Sequence, residues 1–87
     1  MNIELDFIDM NNVVFICKVK KCILGYVKFE KSTICVIQSM IFKKDVDIIQ
    51  KYDCLYLLSK KLQCQITPLN INQDKIFWKI FLRNSNL

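Results

Sequence analysis

Lys75-Ile76-Phe77-Trp78-Lys79-Ile80-Phe81-Leu82-Arg83 is the stretch on which the fold turns. If it is extended, Ile76, Trp78, Ile80 and Leu82 share one face and Lys75, Phe77, Lys79, Phe81 and Arg83 the other, because side chains alternate along a strand. On that second face the phenylalanines could stack bases while the basic residues hold phosphates. Phenylalanines at this spacing more often pack under a helix, with lysine stems lying along them. If the stretch is helical, the domain closes on a different element. The residues leave both readings open.

Working back from it, Asn70, Asn72, Gln73 and Asp74 make a polar turn, and residues 63–67 read as a strand that Pro68 keeps from being long and central. Residues 45–62 form the clearest helix. Asp45 or Asp47 supplies its cap, Lys60 and Lys61 complement the dipole in its last turn, and Ile48, Tyr52, Leu55 and Leu62 define the expected buried stripe. Residues 23–31 and 33–42 are rich in β-branched and aromatic side chains and read as two strands joined by a turn at Glu30-Lys31-Ser32. The only glycine, Gly25, is expected to relieve a twist or bulge in the first of them. Near the N-terminus Ile3, Leu5 and Phe7 alternate with Glu4 and Asp6, the period of a half-buried strand. Residues 13–21 are ambiguous, since Val13, Ile16 and Lys20 also suit a helical face. The expected fold is α+β: a mostly antiparallel sheet with the 45–62 helix on one face, and a short helix near residues 11–20 as the alternative to a strand.

An 87-residue chain with 53% hydrophobic and 24% charged residues suits one globular domain, residues 1–87. Five cysteines, Cys17, Cys22, Cys35, Cys54 and Cys64, are odd in number, have no histidine to join them and lack the two-residue spacing of zinc knuckles. They read as reduced small hydrophobes, which points to a reducing compartment and to no metal. The acidic start Met1-Asn2-Ile3-Glu4-Leu5-Asp6 is unlike a secretory signal, and no apolar stretch approaches membrane-spanning length. The lysine, isoleucine and asparagine bias suggests an AT-rich genome, as in a reduced parasite or a virus.

Enzyme chemistry needs convergent groups, and no histidine base, glycine-rich phosphate cradle or nucleophile elbow is present. The reading is therefore a binding domain with no catalytic residues and no cofactor. A net charge of +5 favours polyanions. Lys18, Lys20, Lys21, Lys28 and Lys31 face a single acid, Glu30, between residues 18 and 31, while Lys43 and Lys44 precede the helix and Lys60 and Lys61 end it. Lysines at both ends of a helix suit phosphates spaced along a strand, which is backbone recognition of the kind RNA invites.

From about Leu24 to Leu82 the chain resembles the eukaryotic-type ribosomal protein twenty-two of the large subunit. The likeness is carried by Tyr26-Val27-Lys28-Phe29-Glu30-Lys31-Ser32 followed by Thr33-Ile34-Cys35-Val36-Ile37, by Met40-Ile41-Phe42-Lys43-Lys44, and by Tyr56-Leu57-Leu58-Ser59-Lys60-Lys61-Leu62 before two closing strands. Ile3-Glu4-Leu5-Asp6 is similar to that family's first strand and Phe15-Ile16-Cys17-Lys18-Val19-Lys20 to the end of its first helix. The chain departs from the family in a shortened first helix and loop, in Cys54 to Leu58 where the family is richer in lysine, and in lacking the acidic tail. The resemblance implies a cytoplasmic, ribosome-bound structural protein whose partners are ribosomal RNA and neighbouring ribosomal proteins, with no membrane and no small-molecule substrate. Lys43, Lys44, Lys60 and Lys61 would be its RNA contacts, joined by Lys18, Lys20 and Lys21.

Two other readings compete. The order of elements is similar to the acetyltransferase fold, in which a hairpin and a strand precede a helix at the acyl-carrier pyrophosphate; Asn72 and Ile76-Phe77-Trp78-Lys79 look like that family's closing helix. The junction Phe42-Lys43-Lys44-Asp45-Val46-Asp47 lacks the glycine-rich turn that lets amides approach phosphate, which implies a degenerate, inactive scaffold. A third reading is a viral or parasite module that docks an apolar face on another protein. A strand at 75–83 supports the ribosomal resemblance, and a helix supports the acetyltransferase one.

Overall fold

A computed structural model describes residues 2–85. The chain runs β1 (Ile3–Asp9), β2 (Asn12–Cys17), β3 (Cys22–Lys31), β4 (Cys35–Phe42), α1 (Ile48–Leu62), β5 (Ile66–Pro68) and α2 (Lys75–Ser85). The strands form one sheet in the order β1-β2-β3-β4-β5. The first four pair antiparallel, and β5, returning after α1, lies parallel to β4. The expected α+β class and mostly antiparallel sheet are what the chain adopts.

The strand registers put the apolar alternation on one face. Leu5 lies across from Phe15 and Phe7 across from Val13, which in turn faces Val27, and Val27 faces Met40. Both helices cover this face, where Val13, Phe15, Val27, Phe29, Cys54, Leu55, Leu58, Phe77, Trp78 and Phe81 are all at most 1% exposed. The other face is bare, with Val14, Tyr26 and Ile41 in one cross-strand row.

Gly25 sits opposite both Phe15 and Phe42, whose rings stack at 5.9 Å over the space it leaves. The adjacent Leu24 is the extra residue of a bulge in the β2–β3 ladder, so the glycine does accompany a bulge.

The helical alternative near residues 11–20 is not what forms. Asn12–Cys17 is a strand with ladders to both neighbours, and Val13 and Phe15 alternate into the core as a period-two pattern demands. Hence Phe15 to Lys20 is not the end of a helix. The turn between β3 and β4 falls at residues 32–34, a little later than expected.

At the C-terminal end, residues 75–83 are helical. A helix brings Phe77, Trp78 and Phe81, at i, i+1 and i+4, onto one buried arc, with rings 5.0 to 5.7 Å apart, and leaves Ile76 and Ile80 outward. A strand would have sent Trp78 to the face opposite the two phenylalanines. The expected strand at 63–67 is shorter and later, because Gln63 adopts the left-handed conformation that ends α1, donating its N–H to the Ser59 carbonyl.

Helix α1 begins at Ile48 rather than residue 45, with Asp47 as its cap. The Asp47 carboxylate accepts the Gln50 N–H at 2.8 Å and the Gln50 side chain accepts the Asp47 N–H at 3.1 Å, a reciprocal capping box. Its core-facing residues are Cys54, Leu55 and Leu58, flanked by half-buried Tyr52 and Leu62. Ile48, expected in the stripe, is 38% exposed, so the first turn stands clear of the core.

Candidate functional site at the strand fork

Beyond the parallel pair the sheet opens. β5 follows β4 for three positions only, Cys35 with Ile66, Val36 with Thr67 and Ile37 with Pro68, and the Leu69 N–H closes the ladder on the Ile37 carbonyl at 2.9 Å. At the next residue β4 bulges: Ile37 faces Phe29 and Ser39 faces Lys28, which leaves Gln38 as the extra residue. A bulge bends its strand and raises its twist. Pro68 in turn marks the end of the short edge strand. Residues 38–42 of β4 therefore have no strand beside their outer edge among the described residues.

A cavity of about 230 Å³ fills this fork, lined by Ile37, Ser39, Met40, Pro68, Asn70, Gln73, Asp74 and Trp78. It joins apolar Ile37, Met40, Pro68 and Trp78 to polar Ser39, Asn70, Gln73 and Asp74. It is smaller than the pockets of about 300 Å³ or more that enclose whole drug-sized ligands, so it suits a narrow chain. The rim is held in place locally. The Asn70 side chain accepts the Asn72 N–H at 3.0 Å, the Gln73 N–H bonds the Asn70 carbonyl at 3.1 Å, and Asp74 pairs with Lys51 of α1 at 2.9 Å.

The lysines fall into two groups. The Lys43 N–H bonds the Leu24 carbonyl at 3.0 Å, so the start of β3 lies beside the end of β4. This brings the turn carrying Lys18, Lys20 and Lys21 to the same end of the sheet as Lys43 and Lys44, all five exposed. Lys60 and Lys61 lie in the last turn of α1, about 18–20 Å along the helix from its start at Ile48. Lys60 sits 5.3 Å from the centre of the Tyr56 ring. The seven candidate residues thus form two clusters rather than one.

The β4–α1 junction is closed to anions as far as its capped amides go. Asp47 occupies the Gln50 N–H, the Lys51 N–H bonds the Asp47 carbonyl, and the Val46 N–H bonds the Lys43 carbonyl. Charge at this end comes from lysine side chains, opposed by exposed Asp45 and Asp47. Among the described residues no group of three or more histidine, cysteine or acidic side chains could hold a metal, and no helix is long and apolar enough to cross a membrane.

Ser39, Met40, Pro68 and Trp78 were not legible as site residues. The only sequence signal was the polar turn of Asn70, Gln73 and Asp74 after a strand cut short by proline. No family model, no curated protein and no solved structure matches this chain.

Proposed function

We propose that this chain is a non-catalytic binding domain of the acetyltransferase type that holds an acyl-carrier nucleotide such as coenzyme A. The observation that carries the reading is the fork: a bulged β4, a three-residue parallel β5 and a closing helix α2 around a narrow cavity. The unpaired β4 edge offers main-chain groups to an amide-bearing arm, much as an extended peptide adds to a sheet edge. The phosphates at the other end of such a ligand would lie towards Lys43 and Lys44. Because Asp47 takes the helix amide that a phosphate would use, this end contributes affinity through side-chain charge, and binding falls with salt.

Calorimetric titration with coenzyme A is the test. Binding that Asn70→Phe, at the exposed cavity rim, abolishes supports the fork; binding untouched by that variant contradicts it. Asp47→Asn keeps a good cap while removing a like charge near the phosphates, and is expected to tighten binding about two- to five-fold.

One observation favours a second reading, in which the ligand is RNA and the chain sits on the large ribosomal subunit with ribosomal RNA and neighbouring ribosomal proteins. Lys18, Lys20, Lys21, Lys43 and Lys44 share one end of the molecule, and none of them takes part in the salt bridge seen among the described residues, Lys51–Asp74. On this reading, alanine at Lys18, Lys20, Lys21, Lys43 and Lys44 weakens single-stranded RNA binding. It also lowers the slope of log affinity against log salt by about 0.7 for each phosphate that is no longer neutralised. Replacing Lys60 and Lys61 then has a separate effect, since they form a different cluster. The two readings part on Asn70→Phe, which leaves RNA binding unchanged. Retention on large subunits that fades steeply with salt would favour the second; absence from subunits at low salt would remove it.

A further inference from the structure

We propose that Cys35 and Cys64 form a modification site that closes to a disulfide when the domain meets a low-molecular-weight disulfide. Cys35 is the first residue of β4, fully buried, and Cys64 lies half-buried in the turn between α1 and β5. The two backbones are already tied, since the Cys35 N–H bonds the Gln65 carbonyl at 2.8 Å. Both side chains face the core, Cys35 within it and Cys64 packed against it. Cysteines on adjacent backbones that face one core layer can bond with little movement, which is the geometric requirement for a disulfide. This pair stands at the closed end of the fork, where only three residue pairs join β4 to β5. A covalent link there would fix the hinge from which the two strands diverge. The proximity of the two thiols does not depend on what the fork binds.

The chemistry is thiol–disulfide exchange. The Cys64 thiolate, the accessible one, attacks one sulfur of the small disulfide and displaces the other as a thiol, leaving a mixed disulfide on Cys64. The Cys35 sulfur then attacks the Cys64 sulfur, the Cys64–small-thiol bond breaks, and the departing sulfur takes the Cys35 proton and leaves as the second small thiol. Two protein thiols are oxidised and one small disulfide is reduced to two thiols. Burial pushes the Cys35 thiol up to about 12, so the second step is the slow one.

Cys17 and Cys22 are the competing pair, since they lie directly opposite each other in the β2–β3 ladder. The test is to incubate the full chain with oxidised glutathione and map the products by peptide mass spectrometry without reduction. The expected result is a species that has lost two of its five free thiols and about two daltons, with the Cys35 and Cys64 peptides joined. The Cys17→Ser, Cys22→Ser variant should give the same link. A folded chain in which exhaustive oxidation joins only Cys17 to Cys22, or stops at glutathione mixed disulfides without joining Cys35 to Cys64, overturns the proposal.

Discussion

Trp78→Ala lowers the unfolding free energy by about 3–5 kcal/mol, the range for deleting a large buried aromatic. Trp78 is 1% exposed, its ring meets Phe77 at 5.0 Å and Phe81 at 5.6 Å, and it forms one wall of the fork cavity. Truncation there removes the ring packing and enlarges a void that already exists, so little collapse can offset the effect. Small domains hold only about 5–15 kcal/mol in total, and a chain of this length belongs at the low end. Trp78→Ala is therefore expected to bring the domain near unfolding at room temperature. Ile76 and Ile80, 68% and 39% exposed, should cost far less as alanine, Ile76 about 0.5 kcal/mol or under. Urea denaturation of the three variants checks this. Equal losses of stability at 76, 78 and 80 would mean that the three share a face, as they would in a strand, and would contradict the helix.

Gly25→Ala is the second large effect, expected at about 1–3 kcal/mol for overpacking a filled space. A Cβ at Gly25 would fall on Phe42 Cδ1 and lie 2.8 Å from the Ile41 carbonyl oxygen. The backbone at Ile41 cannot withdraw without breaking the β3–β4 ladder, so the Phe42 ring must turn away. That costs its stacking on Phe15 and its approach to the Lys51 ammonium, 5.9 Å from the ring centre. The signature is non-additivity. Adding Phe42→Ala to Gly25→Ala should cost less than the two single effects summed, because the second change removes the atom that the first one strikes. Additive effects in urea would show that the steric account of Gly25 is wrong.

Much of this fold was legible because local and global preferences agree. The alternation of Ile3, Leu5 and Phe7, the β-branched runs on either side of residue 32, and a helix bounded by Asp47 and by Lys60 and Lys61 all pointed the same way as the final packing. The failures fell where two periods fit one set of residues. Val13, Ile16 and Lys20 satisfy a helical face as well as Val13 and Phe15 satisfy a strand, and only pairing with both β1 and β3 selects the strand. At 75–83 the sequence alternates and also places Phe77 and Phe81 four apart. The packing of Trp78 beside them decides it.

The site was less legible than the fold for a physical reason. A fork depends on a bulge at Gln38 and on a parallel partner that stops after three residues, and neither has a local sequence signature. Lysine positions at the two ends of α1 could be read directly, since a helix has predictable ends. That Lys18, Lys20 and Lys21 join Lys43 and Lys44 follows only from the register that sets Leu24 beside Lys43.

Amide chemical-shift mapping during a coenzyme A titration tests, residue by residue, the proposed seating of the ligand in the fork. Binding in the fork shifts residues 38–44 and 69–75, with the Trp78 indole N–H among the largest, and changes Lys60 and Lys61 little. Shifts confined to the lysine turn at 18–21 and to residues 43–44, or no shifts at millimolar ligand, would contradict it.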